Sequence, residues 1–364
     1  MLDPVIAAIK RFFGLVFAAI VWPFLAVHGW YRDRGLIIKA VVGVAVLAFV
    51  AFYGQFMWNS QRWSNFDPDY VANYKFSERT VAPGEHLTTT GGANTCQSSA
   101  IVDVASGLID FNVNQNAWIS STLAYKAGLF GVDWDHTPFF DNKAAFQRGV
   151  NQAVRRTTAE LVDTLGRVRG TSGINQDLQN ARGNMQFDEE SWYFGLSPFG
   201  PKTPTPSYYR SAIQSLEKFN ASLSACGATF DARADNFVQF LDRIANDIGG
   251  TSAILSERSE FHNRGWFDFR ADDRFWFAYG QLYGYYGILS ATGADFAAVI
   301  RERNLTQVWN ETLLQTRAAL AIQPWIISNG KEDGLIMPSH LATMGFRILR
   351  VRSNLVELRS ILER

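Results

Sequence analysis

Three stretches hold the side chains from which chemistry could be built. The loop GVDWDHTPFFDN brings Asp133, Asp135, His136 and Asp141 close together in sequence. Carboxylates and an imidazole at such spacing are a donor set for a divalent cation. The ligand order is not that of an EF-hand loop, and the same aspartates would serve as helix caps and turn formers without any metal. The second stretch, Arg270-Ala-Asp272-Asp273-Arg274, offers two carboxylates for acid–base work. Neighbouring residues on a helix point in different directions, so Asp272 and Asp273 do not form a facing pair for glycoside chemistry. Asp272 as an N-cap and Asp273 in the first turn would satisfy the helix dipole alone. The third, YGQLYGYYG, spaces Gly280, Gly284 and Gly287 by four and three residues. That puts small residues on one helix side and permits close helix contact. Tyr279, Tyr283 and Tyr286 flank it as candidate pocket-lining residues.

Most catalytic signatures are absent. There is no HExxH, and His28, His86, His136, His262 and His340 are scattered, with Glu257, Glu260 and His262 in a polar connector. No G-x-S-x-G, P-loop or dinucleotide fingerprint occurs. No cofactor is expected. Thirty-four basic residues balance thirty-four acidic ones, which argues against a nucleic-acid partner. Cys96 and Cys226 are the only cysteines. They could form one long-range disulfide in an oxidising compartment or remain two buried thiols.

The element that must position all of this is an apolar run, Ala40 to Trp58. It carries no charge over about nineteen residues, enough for a helix to cross a hydrocarbon core of roughly 30 Å. A second uncharged run, residues 12–31, precedes it. It fits a signal peptide poorly, because no small-residue cleavage site ends it. Either it is a second span in a hairpin, or it lies in the cytoplasmic leaflet, bent at Pro23. Lys10, Arg11, Arg32, Arg34 and Lys39 all precede Ala40. The positive-inside rule then places 1–39 in the cytoplasm and the remainder outside.

Residues 59–94 read as a connector, with Thr88-Thr89-Thr90-Gly91-Gly92 as a flexible entry to the folded part. Residues 95–364 read as one all-α, bundle-like domain. Apolar residues recur at helical spacing in Ser98–Phe111 and Lys143–Arg169. Four prolines in 192–206 mark an irregular loop. Ser207 is an N-cap candidate. Asp231 is another, for a helix that Gly249-Gly250 should stop near Ile248. After Pro338-Ser339, Leu341, Met344, Ile348, Val351, Leu355, Leu358 and Leu362 repeat in alternating steps of three and four. Such a seam serves either a coiled coil between chains or a long helix packed on its own domain.

The segments 125–150, 233–255, 265–289 and 328–358 (YKAGLFGVDWDHTPFFDNKAAFQRGV, RADNFVQFLDRIANDIGGTSAIL, GWFDFRADDRFWFAYGQLYGYYGIL and SNGKEDGLIMPSHLATMGFRILRVRSNLVEL) resemble the DUF2333 family of bacterial proteins. The resemblance runs from the anchor to the C-terminus. It departs from the family pattern in the extra N-terminal apolar run and around Phe275–Tyr286. It implies a membrane-attached protein of Gram-negative bacteria and supplies no catalytic residues. The expected function is therefore that of an inner-membrane-anchored structural or interaction protein with a periplasmic domain. Membrane lipid, self-association and a membrane-protein complex are its expected contacts. The alternative is an envelope hydrolase, or a binder of lipid or another apolar ligand, using the Asp/His and aromatic clusters.

Overall fold

Helical periodicity governs nearly the whole chain, and the computed structural model is all-α apart from one short hairpin. It describes residues 3–87, 95–137, 139–167, 173–332, 334 and 336–364. The Thr88–Gly92 segment lies outside the described residues. Two compact units divide at residues 55 and 56.

The first unit contains α1 (Asp3–Arg32) and most of α2 (Leu36–Gln61). Both helices are long and apolar enough to cross a membrane, over Lys10–Arg32 and Leu36–Gln61. Pro23 lies within α1.

The second unit begins in the last turn of α2. It continues through α3 (Ala100–Asp110), α4 (Leu123–Ala127), α5 (Asn142–Glu160), α6 (Gln176–Met185), α7 (Thr205–Ser224), α8 (Ala234–Phe261), α9 (Ala271–Asp295), α10 (Ala297–Glu302), α11 (Thr306–Ala319) and α12 (His340–Leu362). Strands β1 (Phe194–Leu196) and β2 (Phe199–Pro201) form an antiparallel hairpin inside the proline-rich 192–206 stretch.

The buried helix α9 packs along α5, and glycine allows it. A Cβ on Gly149 would meet the Phe277 carbonyl at 2.1 Å, and one on Gly280 would meet the Phe146 carbonyl at 2.1 Å. The two backbones touch where neither helix carries a side chain. Around this seam lie Phe146, Phe275, Tyr279, Tyr283 and Tyr285, all buried.

Residues 62–87 are not a loose connector. Trp63, Phe66, Tyr70, Tyr74 and Phe76 pack on the core. Tyr70 Oη donates to the Tyr283 carbonyl at 2.9 Å, and Tyr283 Oη donates to the Asp67 carbonyl at 3.0 Å. Aromatic area in a nominal linker was the clue to this strap, because exposed rings would cost hydration free energy.

Four local expectations are corrected. Helix α8 runs through Gly249-Gly250 to Phe261, because α12 supports it along its length and Arg352 packs over Gly249. Its N-cap is Arg233, and Asp231 instead pairs with the Arg233 guanidinium at 2.7 Å. Helix α7 starts at Thr205 rather than after Ser207, with Pro206 in its first turn, where a missing N–H costs nothing. Helix α5 passes into a π turn, Leu161–Leu165, and stops at Gly166.

The heptad seam of α12 is also corrected as an oligomer contact. Leu341, Met344, Ile348, Val351, Leu355, Leu358 and Leu362 are 5% exposed or less within the single chain. Antiparallel α8 fills the seam. Ser259 meets Ser339 at 2.8 Å, Ser252 Oγ donates to the Gly345 carbonyl at 3.2 Å, and Arg359 reaches Asp242 at 2.6 Å.

Candidate functional site: a buried carboxyl cluster

The tight α5–α9 seam brings together two acidic motifs that are far apart in sequence. Asp141 occupies the N-cap position of α5, but its side chain makes no capping bond. It is buried instead near Asp273, in the first turn of α9, whose charge it feels. Asp272 sits beside them, buried. Its predicted role as N-cap falls to Arg270, since α9 begins at Ala271.

The electrostatics are unusual for aspartates. Asp141 is 1% exposed, and neither of its oxygens accepts a well-formed hydrogen bond. The same holds for both oxygens of Asp272. Burial, and then the neighbouring carboxylates Asp273 and Asp272, raise the Asp141 pKa far above the ordinary carboxylate range. Burial and the Asp273 charge push Asp272 up to about 8. Burial raises Asp273 too, while the nearby charges of Arg274 and Arg148 oppose the rise. Neighbouring buried carboxyls cannot all ionise cheaply in a low dielectric, so each raises the pKa of the others.

The cluster opens on a cleft of about 200 Å³, with Tyr125, Asp135, Arg148, Arg270, Asp273 and Arg274 in its wall. Arg148 bonds Glu190 at 2.6 Å and lies over the Tyr125 ring at 5.6 Å. Arg270 donates to Asp135 at 3.1 Å. A carboxyl with a raised pKa beside three guanidinium groups can bind a small oxyanion and exchange a proton with it. Tyr125 and Arg148 were not legible as site residues in the sequence. The one available signal is that Arg148 follows Asp141 by about two helical turns.

The other candidates are dispersed. Asp133 is exposed, Asp135 lies 2.8 Å from His136 Nδ1, and Asp141 turns away to α9, so the four do not converge as a metal set. Tyr279 is a core residue, its hydroxyl donating to the Leu320 carbonyl at 2.8 Å. Tyr283 alone of the three tyrosines lines a second cleft, of about 500 Å³, with Asn65, Tyr70, Asn73 and Gln115. Tyr286 is half-buried against the core. Cys96 and Cys226 are joined in a disulfide. His86 stands by it, with Nδ1 3.6 Å from Cys96 Sγ. Both sulfurs are spent in that bond and offer no thiolate for a metal.

Comparison with curated proteins and with solved structures gives no match. A family model matches residues 82–263, half of the chain, and takes in the Asp133–Asp141 loop, both cysteines and α5 to α8. The resembling segments 265–289 and 328–358 fall outside it. The chain belongs to the DUF2333 family, described as uncharacterized protein conserved in bacteria.

Proposed function

We propose that this is an inner-membrane-anchored structural or interaction protein whose helical domain faces the periplasm and works within an assembly at the membrane. The observation that carries the reading is the Cys96–Cys226 disulfide. Such bonds persist in oxidising compartments, and both cysteines follow α2. The basic residues that precede α2 support the same orientation. If α1 and α2 crossed as a hairpin, the domain would return to the reducing side. The disulfide therefore favours a single crossing by α2, with α1 in or against the cytoplasmic leaflet. Since α8 covers the α12 seam, assembly must use another face.

Protease treatment of spheroplasts tests the orientation. Digestion of the domain in intact spheroplasts is expected, and protection until lysis would overturn the periplasmic reading. The native mass after gentle extraction tests the assembly. A mass above one chain is expected, and the mass of a single chain would count against it.

A second reading, an envelope hydrolase, is favoured by Asp273, its pKa raised by burial, in the wall of the arginine-lined cleft. It predicts turnover of a component in envelope extracts that Asp273→Asn abolishes. Equal profiles from wild type and variant would remove it.

A further inference from the structure

The end of the domain that holds the start of α9 is also the end where α2 arrives. The last turn of α2, from Phe56 onward, belongs to the domain's own compact unit. Phe56 is buried, with its ring 4.6 Å from that of Trp134. Gln61 Nε2 donates to the Phe139 carbonyl at 2.8 Å. Lys143 Nζ donates to the carbonyls of Asn59 and Arg62, at 2.9 and 2.6 Å, and so closes the helix C-terminus with a cation. One step further along the chain, the Trp63 ring lies 5.3 Å from Trp276 in α9. The apolar part of α2 ends at Trp58, where Asn59, Ser60 and Gln61 follow. The α2 contacts therefore lie within about one helical turn, roughly 5 Å, of the end of that apolar part.

Aromatic side chains are exposed at this same end. Phe130 is 79% exposed and Phe139 is also exposed, both on the segment tied to α2. Trp266, Phe267 and Phe269 are exposed on the segment before α9, with Phe267 at 70%. The Asp135–Arg270 ion pair joins the two segments. Trp325 is 99% exposed on a third segment. Gly265 and Asn329 exchange backbone hydrogen bonds of 2.9 and 3.1 Å, which fasten that segment to the second. Water-facing surfaces rarely gather so many exposed rings. Arg264, Arg270 and Arg274 are exposed among them.

Resting on the reading of α2 as the membrane anchor, we infer that these three segments form a rim seated in the interfacial layer of the bilayer that α2 leaves. Rings such as Phe130, Phe267 and Trp325 would sit at headgroup level, where Trp and other aromatic side chains partition favourably. The interleaved arginines fit phospholipid phosphates. Lipid is the occupant, rather than a protein, because the rim shares its level along the chain with the membrane exit. The α5–α9 cleft then opens beside the headgroups. Its arginines face the anionic chemistry that a membrane surface supplies.

Photocrosslinking of the full chain in phosphatidylethanolamine–phosphatidylglycerol vesicles tests this. Benzoylphenylalanine replaces Phe130, Phe267 or Trp325, all exposed, so folding is undisturbed, and disulfide formation on a non-reducing gel checks it. Leu47, inside α2, reports the anchor. Arg303, beyond the far end of α9 and about 37 Å of helix away, reports background. Lipid adducts at the three rim positions are expected at a yield close to that of Leu47 and about tenfold above Arg303. Adducts at Leu47 without rim adducts leave the anchor standing and overturn the rim. Rim crosslinks to protein instead of lipid overturn it in favour of a protein partner. No adduct at Leu47 removes the anchor, and the rim with it.

Discussion

Asp141, at the start of α5, lies buried within the electrostatic reach of Asp273, in the first turn of α9, and among the described residues neither Asp141 oxygen has a hydrogen-bond partner. A buried carboxyl cluster without donors does not add stability at neutral pH. It costs stability, and it persists because the surrounding packing on both helices fixes it.

That cost makes stability pH-dependent. Asp272 is pushed up to about 8, first by burial, and Asp295 up to about 6 by burial despite three donors. A folded state that keeps protons which the unfolded chain releases near the ordinary value of 3.8 is most favoured at low pH. The advantage is complete below the unfolded value and is lost as pH rises through the folded values. Thermal unfolding should therefore show Tm falling from pH 5 to pH 9. Asp272→Asn should flatten that slope and raise Tm at the alkaline end by the equivalent of a few kcal/mol. Parallel profiles for the two proteins would contradict the assignment.

Asp295 plays the opposite structural role. Its carboxylate accepts from Ser99 Oγ at 2.7 Å and from the Ala100 and Ile101 amides at 2.8 and 3.0 Å, so it caps α3 from the far end of α9. Asp295→Ala strips buried N–H groups of their acceptor and should cost about 2–4 kcal/mol in denaturant unfolding. Asp295→Asn, which keeps one oxygen, should cost less.

The Cys96–Cys226 bond closes a loop with a sequence separation of 130. Replacing both cysteines with serine should lower unfolding free energy by about 2–5 kcal/mol. A reducing agent should shift the wild-type Tm by the same amount and leave the double variant unmoved.

The α12 seam separates internal packing from assembly. Ile348→Ala should destabilise the domain by about 2–4 kcal/mol through the cavity it leaves against α8. The native mass should stay the same. A drop in mass at unchanged Tm would restore the seam to an interchain role.

Gly149 and Gly280 test the helix joint. Gly280→Ala forces a methyl group onto the Phe146 carbonyl and should cost about 1–3 kcal/mol, because backbone cannot yield as a side-chain tip can. Gly250→Ala has nothing within 4 Å to meet and should be neutral or slightly stabilising.

Much of this architecture was legible in the linear chain. The uncharged length of Ala40–Trp58 specifies a helix able to span, because an apolar run of that length has no other economical solution. The steps of three and four in α12 specify which face is buried, because helical geometry alone sets that spacing. What covers that face is not a local property. The same spacing serves a second chain or α8, and only the chain's return path chose α8. Likewise, the two acidic motifs each read as caps, since a carboxylate near a helix start has that use wherever it lies. Their meeting depends on the backbone approach at Gly149 and Gly280, a contact between distant segments. Asp295, Lys143 and Asp247 each look like ordinary charged residues on a helix. Asp247 gathers Gln152, Gln281 and Tyr285, and Lys143 closes the end of α2. Sequence sets a side chain's chemistry and the face of the helix it occupies. Which donors and acceptors it meets is decided by long-range packing, where burial makes each unpaired group expensive.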